Sequence, residues 1–111
     1  MLEMIEEGKV IAVDFDGTIV TDKFPEIGEP NLELIQWLIE YRARGGKLIL
    51  WTSRNKEHLP KAVDFCKSVG LEFDAVNENL KTYQLKWRGD TRKVLADYYL
   101  DDKAVEWKNT K

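Results

Sequence analysis

VDFDGT, residues 13–18, closes an apolar run, GKVIAVD (8–14), whose β-branched residues read as a buried strand. Asp14 and Asp16 stand two apart, so on an extended chain both carboxylates point to the same side. Gly17 then lets the backbone leave sharply, with Thr18 behind it. Two carboxylates where a buried strand gives out suit the carboxyl edge of a parallel sheet, where ligands collect in open α/β folds.

The segments on either side supply the rest of such a sheet. After the loop VTDKFPEIGEP (20–30), the segment NLELIQWLIEYRARGG (31–46) places Leu32, Ile35, Leu38 and Ile39 at helical spacing and stops at Gly45-Gly46. KLILWTS (47–53) reads as a second buried strand. KEHLPKAVDFCKSVG (56–70) reads as a helix that tolerates Pro60 only in its first turn and closes at Gly70. LEFDAVN (71–77) is a third, shorter strand, and ENLKTYQLKWRGDT (78–91) has no clean period and reads as mixed loop. KVLADYYLDD (93–102) reads as a fourth strand starting near Ala96, followed by a polar tail with Trp107. Alternating strands and helices predict an α/β fold: three layers, a parallel sheet covered on both faces, one domain over residues 1–111.

Composition narrows the function. With 111 residues, 43% hydrophobic and 33% charged, the chain is an ordinary globular domain with enough length for a core. Its net charge of −3 and scattered basic residues give no strong sign of a nucleic-acid partner. No apolar run approaches the ~20 residues that span a bilayer, and the acidic start MLEMIEEGK lacks a signal-peptide layout. A single cysteine, Cys66, excludes an internal disulfide and fits a reducing cytoplasm. A cytoplasmic unit is expected, with homo-oligomerisation open.

If the strands are parallel, the first ends at Asp14, the second at Thr52-Ser53 and the fourth at Asp101-Asp102. Four carboxylates and two hydroxyls then meet at one edge. Two carboxylates ~4 Å apart repel by about 4 kcal/mol at an effective dielectric of 20. Such a cluster calls for a cation, and oxygen-only ligands select a hard one, Mg²⁺ above all.

At these residues the chain resembles the haloacid dehalogenase superfamily of aspartate-dependent phosphohydrolases. The resemblance rests on DFDGT, a strand ending in Thr52, a following basic residue and YYLDD, and it is similar in particular to short, capless members of bacterial and phage type. It implies a HAD-like Rossmannoid fold and a phosphatase acting through an aspartyl phosphate. Asp14 would be the nucleophile and Asp16 the acid and then the base. Thr52 would bind phosphoryl oxygens, and Lys93 would supply positive charge, with Arg92 its competitor. Gly17, Thr18, Ser53 and Arg54 would surround the substrate phosphate. Asp14, Asp101, Asp102 and the backbone carbonyl of Asp16 would hold Mg²⁺, with the direct ligand among Asp101 and Asp102 left open. Asp16 favours phosphate over halide chemistry, because halide leaves without a proton.

The segments between Thr18 and Thr52 and between Thr52 and Lys93 are filled by helices, strands and loops, so no folded cap fits. The loops 23–30 and 78–90 are the candidate rims. Lys23, Arg54, Lys56, Lys86 and Arg88 could steer an anion there, although solvated surface charge is the plainer account of each. The partner expected is a phosphorylated small molecule, a nucleotide or the phosphate end of a larger substrate. Two competing readings remain: a receiver-like phosphoacceptor module, whose motif order differs, and a catalytically silent scaffold. His58 and Cys66 read as structural, and Trp87 as a minor candidate for substrate contact.

Overall fold

The computed structural model of the protein describes residues 2–103; the tail with Trp107 lies outside the described residues. Strand β1 is Val10–Val13, helix α1 Leu32–Ala43, strand β2 Lys47–Leu50, helix α2 His58–Ser68, strand β3 Ala75–Val76, helix α3 Lys81–Trp87 and strand β4 Tyr98–Leu100. The strands form one sheet in the order β3-β2-β1-β4, and all pairings are parallel. This is a Rossmann-like α/β fold. Among the described residues no helix is long and apolar enough to cross a membrane.

Period two along the strands sorts the core into two layers. Ile11, Val13, Leu48 and Leu50 face Leu34, Ile35, Leu38 and Tyr41 of α1 and Ala62 and Cys66 of α2. The alternate residues Ala12 and Ile49 face Val94, with Leu80 and Ala96 packed alongside. One side of the sheet therefore carries two helices and the other the segment between β3 and β4.

Local chemistry sets the element ends. Asn31 caps α1 by accepting a hydrogen bond from the Leu34 amide at 3.1 Å, and Gly45 leaves that helix at φ +101°. Tyr41 sends its hydroxyl out of the core to the Glu6 carbonyl at 2.7 Å. Pro60 falls in the first turn of α2, as its missing N–H requires.

The strands are shorter than the apolar runs that announce them, because pairing stops once the backbone turns toward the loops. The segment 78–91 departs further from expectation: it contains α3. None of the residues of α3 is buried, and no side chain caps its start, so it carries neither signal that would have revealed it. What organises this region is the buried amide of Asn79. It donates to Asp90 Oδ1 at 2.7 Å and Thr91 Oγ1 at 2.9 Å and accepts from the Leu95 amide at 2.6 Å.

The register brings three strand tips level. Val13 pairs with Leu50 and with Leu100. The next amides continue the ladder: Asp14 donates to the Leu100 carbonyl and Trp51 to the Val13 carbonyl, each at 2.9 Å. Asp14, Trp51-Thr52 and Asp101 thus leave the sheet at one edge.

Candidate functional site

At that edge lies a cleft of about 650 Å³ lined by Asp14, Asp16, Asp22, Phe24, Trp51, Thr52, Ser53, Asp101 and Lys103. Carboxylate oxygens of Asp14, Asp101 and Asp102 lie within 4.8 Å of one another. Burial, then the charge of Asp101 and to a lesser degree Asp102, pushes Asp14 up to about 6. The Thr18 hydroxyl joins two of the tips, accepting from the Asp102 amide at 3.2 Å and reaching Asp14 Oδ2 at 3.5 Å. Gly17 turns there at φ +90°, and a Cβ at this position would overlap the Asp102 carboxylate. The turn therefore favours glycine for its backbone, and a side chain there would have to displace the Asp102 carboxylate.

This donor set fits a hard divalent cation. It offers three carboxylates and no soft ligand, on a partly open cleft with room for water, which is how Mg²⁺ is commonly held.

Asp16 lines the same cleft but belongs to a different arrangement. Arg54 Nε donates to Asp16 Oδ2 at 2.7 Å and Nη2 to Asp16 Oδ1 at 2.8 Å. The Asp16 carboxylate thus faces a guanidinium and stands apart from the acidic trio. Asp14 and Asp16 both border the cleft, as the sequence leads one to expect, although the strand ends at Val13, before either residue.

Thr52 is held by its backbone: its amide donates to Asn77 Oδ1 at 2.8 Å, and its hydroxyl accepts from the Arg54 amide at 3.1 Å. Thr52 and Ser53 both border the cleft.

Two expected site residues lie elsewhere. Arg54 is fully buried rather than open to an anion. Lys93 is exposed and absent from the cleft lining; its Nζ lies 5.7 Å from the centre of the Tyr99 ring. The cause is the path of the chain. Asp97 already sits at the base of β1, its amide donating to the Val10 carbonyl at 2.8 Å, so Lys93 precedes β4 at the end remote from the tips. Val94 fills the core beneath the sheet and turns its neighbour outward. Arg92 is exposed as well.

The cleft has a cation that the sequence reading passed over. Lys103 Nζ lies 3.6 Å from Asp102 Oδ2 and 4.0 Å from Asp22 Oδ2, and Asp102 chiefly holds its ammonium above the ordinary range. Phe24 falls in the loop 23–30 expected as a rim, whereas Asp22 and Trp51 were also missed as lining residues. Their signal was position alone: each follows closely on a strand tip or on the DFDGT turn.

These features define a small Rossmann-like α/β protein with an acidic cleft at its carboxyl edge. No protein-family model matches the chain, and no curated protein matches it. Among solved structures, that of a conserved protein coded by a locus from Bacteroides thetaiotaomicron is similar, with 38% identity and a TM-score of 0.79 over 89% of this chain and 79% of that one. The chain belongs to the same family as that conserved protein.

Proposed function

We propose that this protein is a Mg²⁺-dependent phosphohydrolase of the haloacid dehalogenase type, hydrolysing phosphomonoesters through an aspartyl phosphate on Asp14. The observation that carries the reading is the meeting of Asp14, Asp101 and Asp102 beside a cleft that also presents Asp16 and Thr52. The DFDGT and LDD motifs support it, as does the parallel sheet that brings them together. A phosphorylated small molecule or an exposed phosphate end suits a cleft over which no folded cap lies among the described residues. The cytoplasm is the compartment we propose, where the unpaired, buried Cys66 stays reduced.

Asp14, Asp101 and Asp102 would hold the cation, which when bound neutralises both the carboxylates and the phosphoryl oxygens. An Asp14 oxygen attacks phosphorus while the bond to the leaving oxygen breaks, and Asp16, entering the step protonated, gives that oxygen its proton and becomes the carboxylate that Arg54 pairs. In the second half, Asp16 takes a proton from water and the water oxygen attacks phosphorus. The bond from Asp14 to phosphorus breaks, restoring the carboxylate and freeing inorganic phosphate. Thr52 can donate its hydroxyl proton to a phosphoryl oxygen, since that hydroxyl already accepts from the Arg54 amide. Lys103 adds positive charge at the rim.

The test is turnover of p-nitrophenyl phosphate and of a panel of nucleotides, sugar phosphates and phosphorylated oligonucleotides. Turnover requires Mg²⁺, ceases with a chelator and falls roughly 10⁴-fold or more in Asp14→Asn. Silence across the panel with Mg²⁺ present overturns the reading.

A further inference from the structure

Among the described residues Arg54 is the one charged side chain in the core, and its surroundings leave it no free donor. Besides the two bonds to Asp16, Nη1 donates to the Pro25 carbonyl at 3.2 Å and the His58 carbonyl at 3.3 Å, and Nη2 donates to the Glu26 carbonyl at 2.8 Å. These account for every N–H of a guanidinium. The rings of Phe15 and Phe24 lie on it, each with its centre 5.1 Å away. A group so enclosed cannot bind a phosphoryl oxygen, although it follows Thr52 by only two residues.

Its bonds run instead to two things that must keep a fixed relation. One is the Asp16 carboxylate, gripped at both oxygens, which fixes the plane as well as the place of that group. The other is the loop after the DFDGT turn. That loop is closed by Thr21, whose amide donates to the Glu29 carbonyl at 2.8 Å and whose hydroxyl accepts from the Glu29 amide at 2.8 Å. It carries Asp22 and Phe24 into the cleft wall.

We propose that Arg54 is the positioning residue for Asp16, clamping that carboxylate and the loop at Pro25 and Glu26 into one rigid unit at the rim of the cleft. The proposal rests on the phosphohydrolase reading above. In the first half-reaction the phosphorus–oxygen bond of the ester breaks and the proton of Asp16 passes to the leaving oxygen. An alkoxide needs that proton far more than p-nitrophenolate does. Misplacing Asp16 therefore slows alkyl esters selectively, whereas general damage to the fold slows both ester classes alike.

The experiment measures kcat and KM with saturating Mg²⁺ on p-nitrophenyl phosphate and glycerol 2-phosphate, for wild type and Arg54→Lys, each with and without Asp16→Asn. Lysine keeps the charge but cannot grip both carboxylate oxygens. The expected loss in kcat is roughly 30-fold or more on the alkyl ester, against about 3-fold or less on the aryl ester, with KM little changed. In the Asp16→Asn background, Arg54→Lys adds nothing further on the alkyl ester. If Arg54→Lys does not fold, Asp16→Glu shifts the carboxylate in its grip and gives the same ester-selective loss. Equal losses on both esters, or an undiminished Arg54→Lys effect in Asp16→Asn, overturn the positioning role alone. A wild type inactive on the whole phosphate panel removes the phosphohydrolase reading, and this role with it.

Discussion

Asp14 and Asp16 sit two residues apart at the end of one strand and border one cleft, yet the protein treats them in opposite ways. The charge of Asp16 is answered from inside the fold, by a guanidinium that also ties down three backbone carbonyls. Asp14 faces two further carboxylates, with Lys103 near the edge of the group but 73% exposed. A fold can hold such an unbalanced cluster because the hydrogen-bonded ladder of β1, β2 and β4 fixes the tips that carry it. The difference separates two kinds of acidic residue: one completed by the chain, and one for which we propose a cation from solution.

The largest effect should come from breaking the completed half. Arg54→Met leaves Asp16, only 16% exposed in its side chain, without its partner and strips the Pro25, Glu26 and His58 carbonyls of a donor. Removing one member of a buried pair costs about 3 to 5 kcal/mol. The partial exposure of Asp16 sets the expectation near ~3 kcal/mol, read as a fall in the urea midpoint. Asp101→Asn, measured the same way in chelator, goes in the other direction. It removes a like charge beside Asp14 and keeps the side-chain oxygen that accepts from the Lys103 amide at 2.9 Å, so stability rises by about 1 kcal/mol. Mg²⁺ then stabilises the wild type more than Asp101→Asn. Destabilisation of similar size in both variants would erase the distinction between the two acids.

The pH dependence of the metal-free protein sharpens the same contrast. Asp14 is pushed up from its ordinary 3.8 to about 6. The folded state therefore binds a proton more tightly than the unfolded chain. Its contribution is fully present below about pH 4 and is lost as pH rises through about 6. Such a displacement corresponds to as much as ~3 kcal/mol in a dry site, and solvent at this partly open cleft reduces it to about 1 to 2 kcal/mol. Other carboxylates, Glu7, Glu78 and Asp90 among them, are held low by hydrogen-bonding partners and contribute in the opposite sense. The quantity to plot is therefore the difference in unfolding free energy between wild type and Asp14→Asn in chelator. It should fall between pH 4 and pH 6. A flat difference would mean that Asp14 feels neither its burial nor its acidic neighbours.

The sequence made the acidic cluster legible because three simple patterns pointed one way. Two apolar runs ended in polar residues, a glycine followed the first pair of acids, and adjacent acids closed the last strand. The parallel order followed from helices lying between strands. Other features had no such pattern. Arg54 read as a phosphate contact or a solvated cation because arginine almost never enters a core without a partner, and its partners Asp16, Pro25, Glu26 and His58 come together only in the folded chain. Helix α3 has no buried face, so hydrophobic period could not reveal it. Lys93 was placed by likeness of motif order, which fixes sequence position and not the end of the strand at which a residue falls.

That last point gives the smallest and most specific expected effect. Of the two lysines that flank β4, Lys103 borders the cleft, with Asp102 and Asp22 close to its ammonium, and Lys93 lies over Tyr99 before the strand begins. An exposed cation at a cleft rim acts through screened attraction, worth about 1 kcal/mol or less. Lys103→Ala should therefore lower kcat/KM for p-nitrophenyl phosphate by up to about 5-fold, and the loss should shrink as salt is raised. Lys93→Ala should stay within about 2-fold of wild type, because its ammonium has no path to the phosphoryl group in this arrangement. A large loss in Lys93→Ala with Lys103→Ala unchanged would reverse the assignment. It would require the chain before β4 to reach the tip edge during turnover, a rearrangement that the Asn79 bonds to Asp90, Thr91 and Leu95 resist.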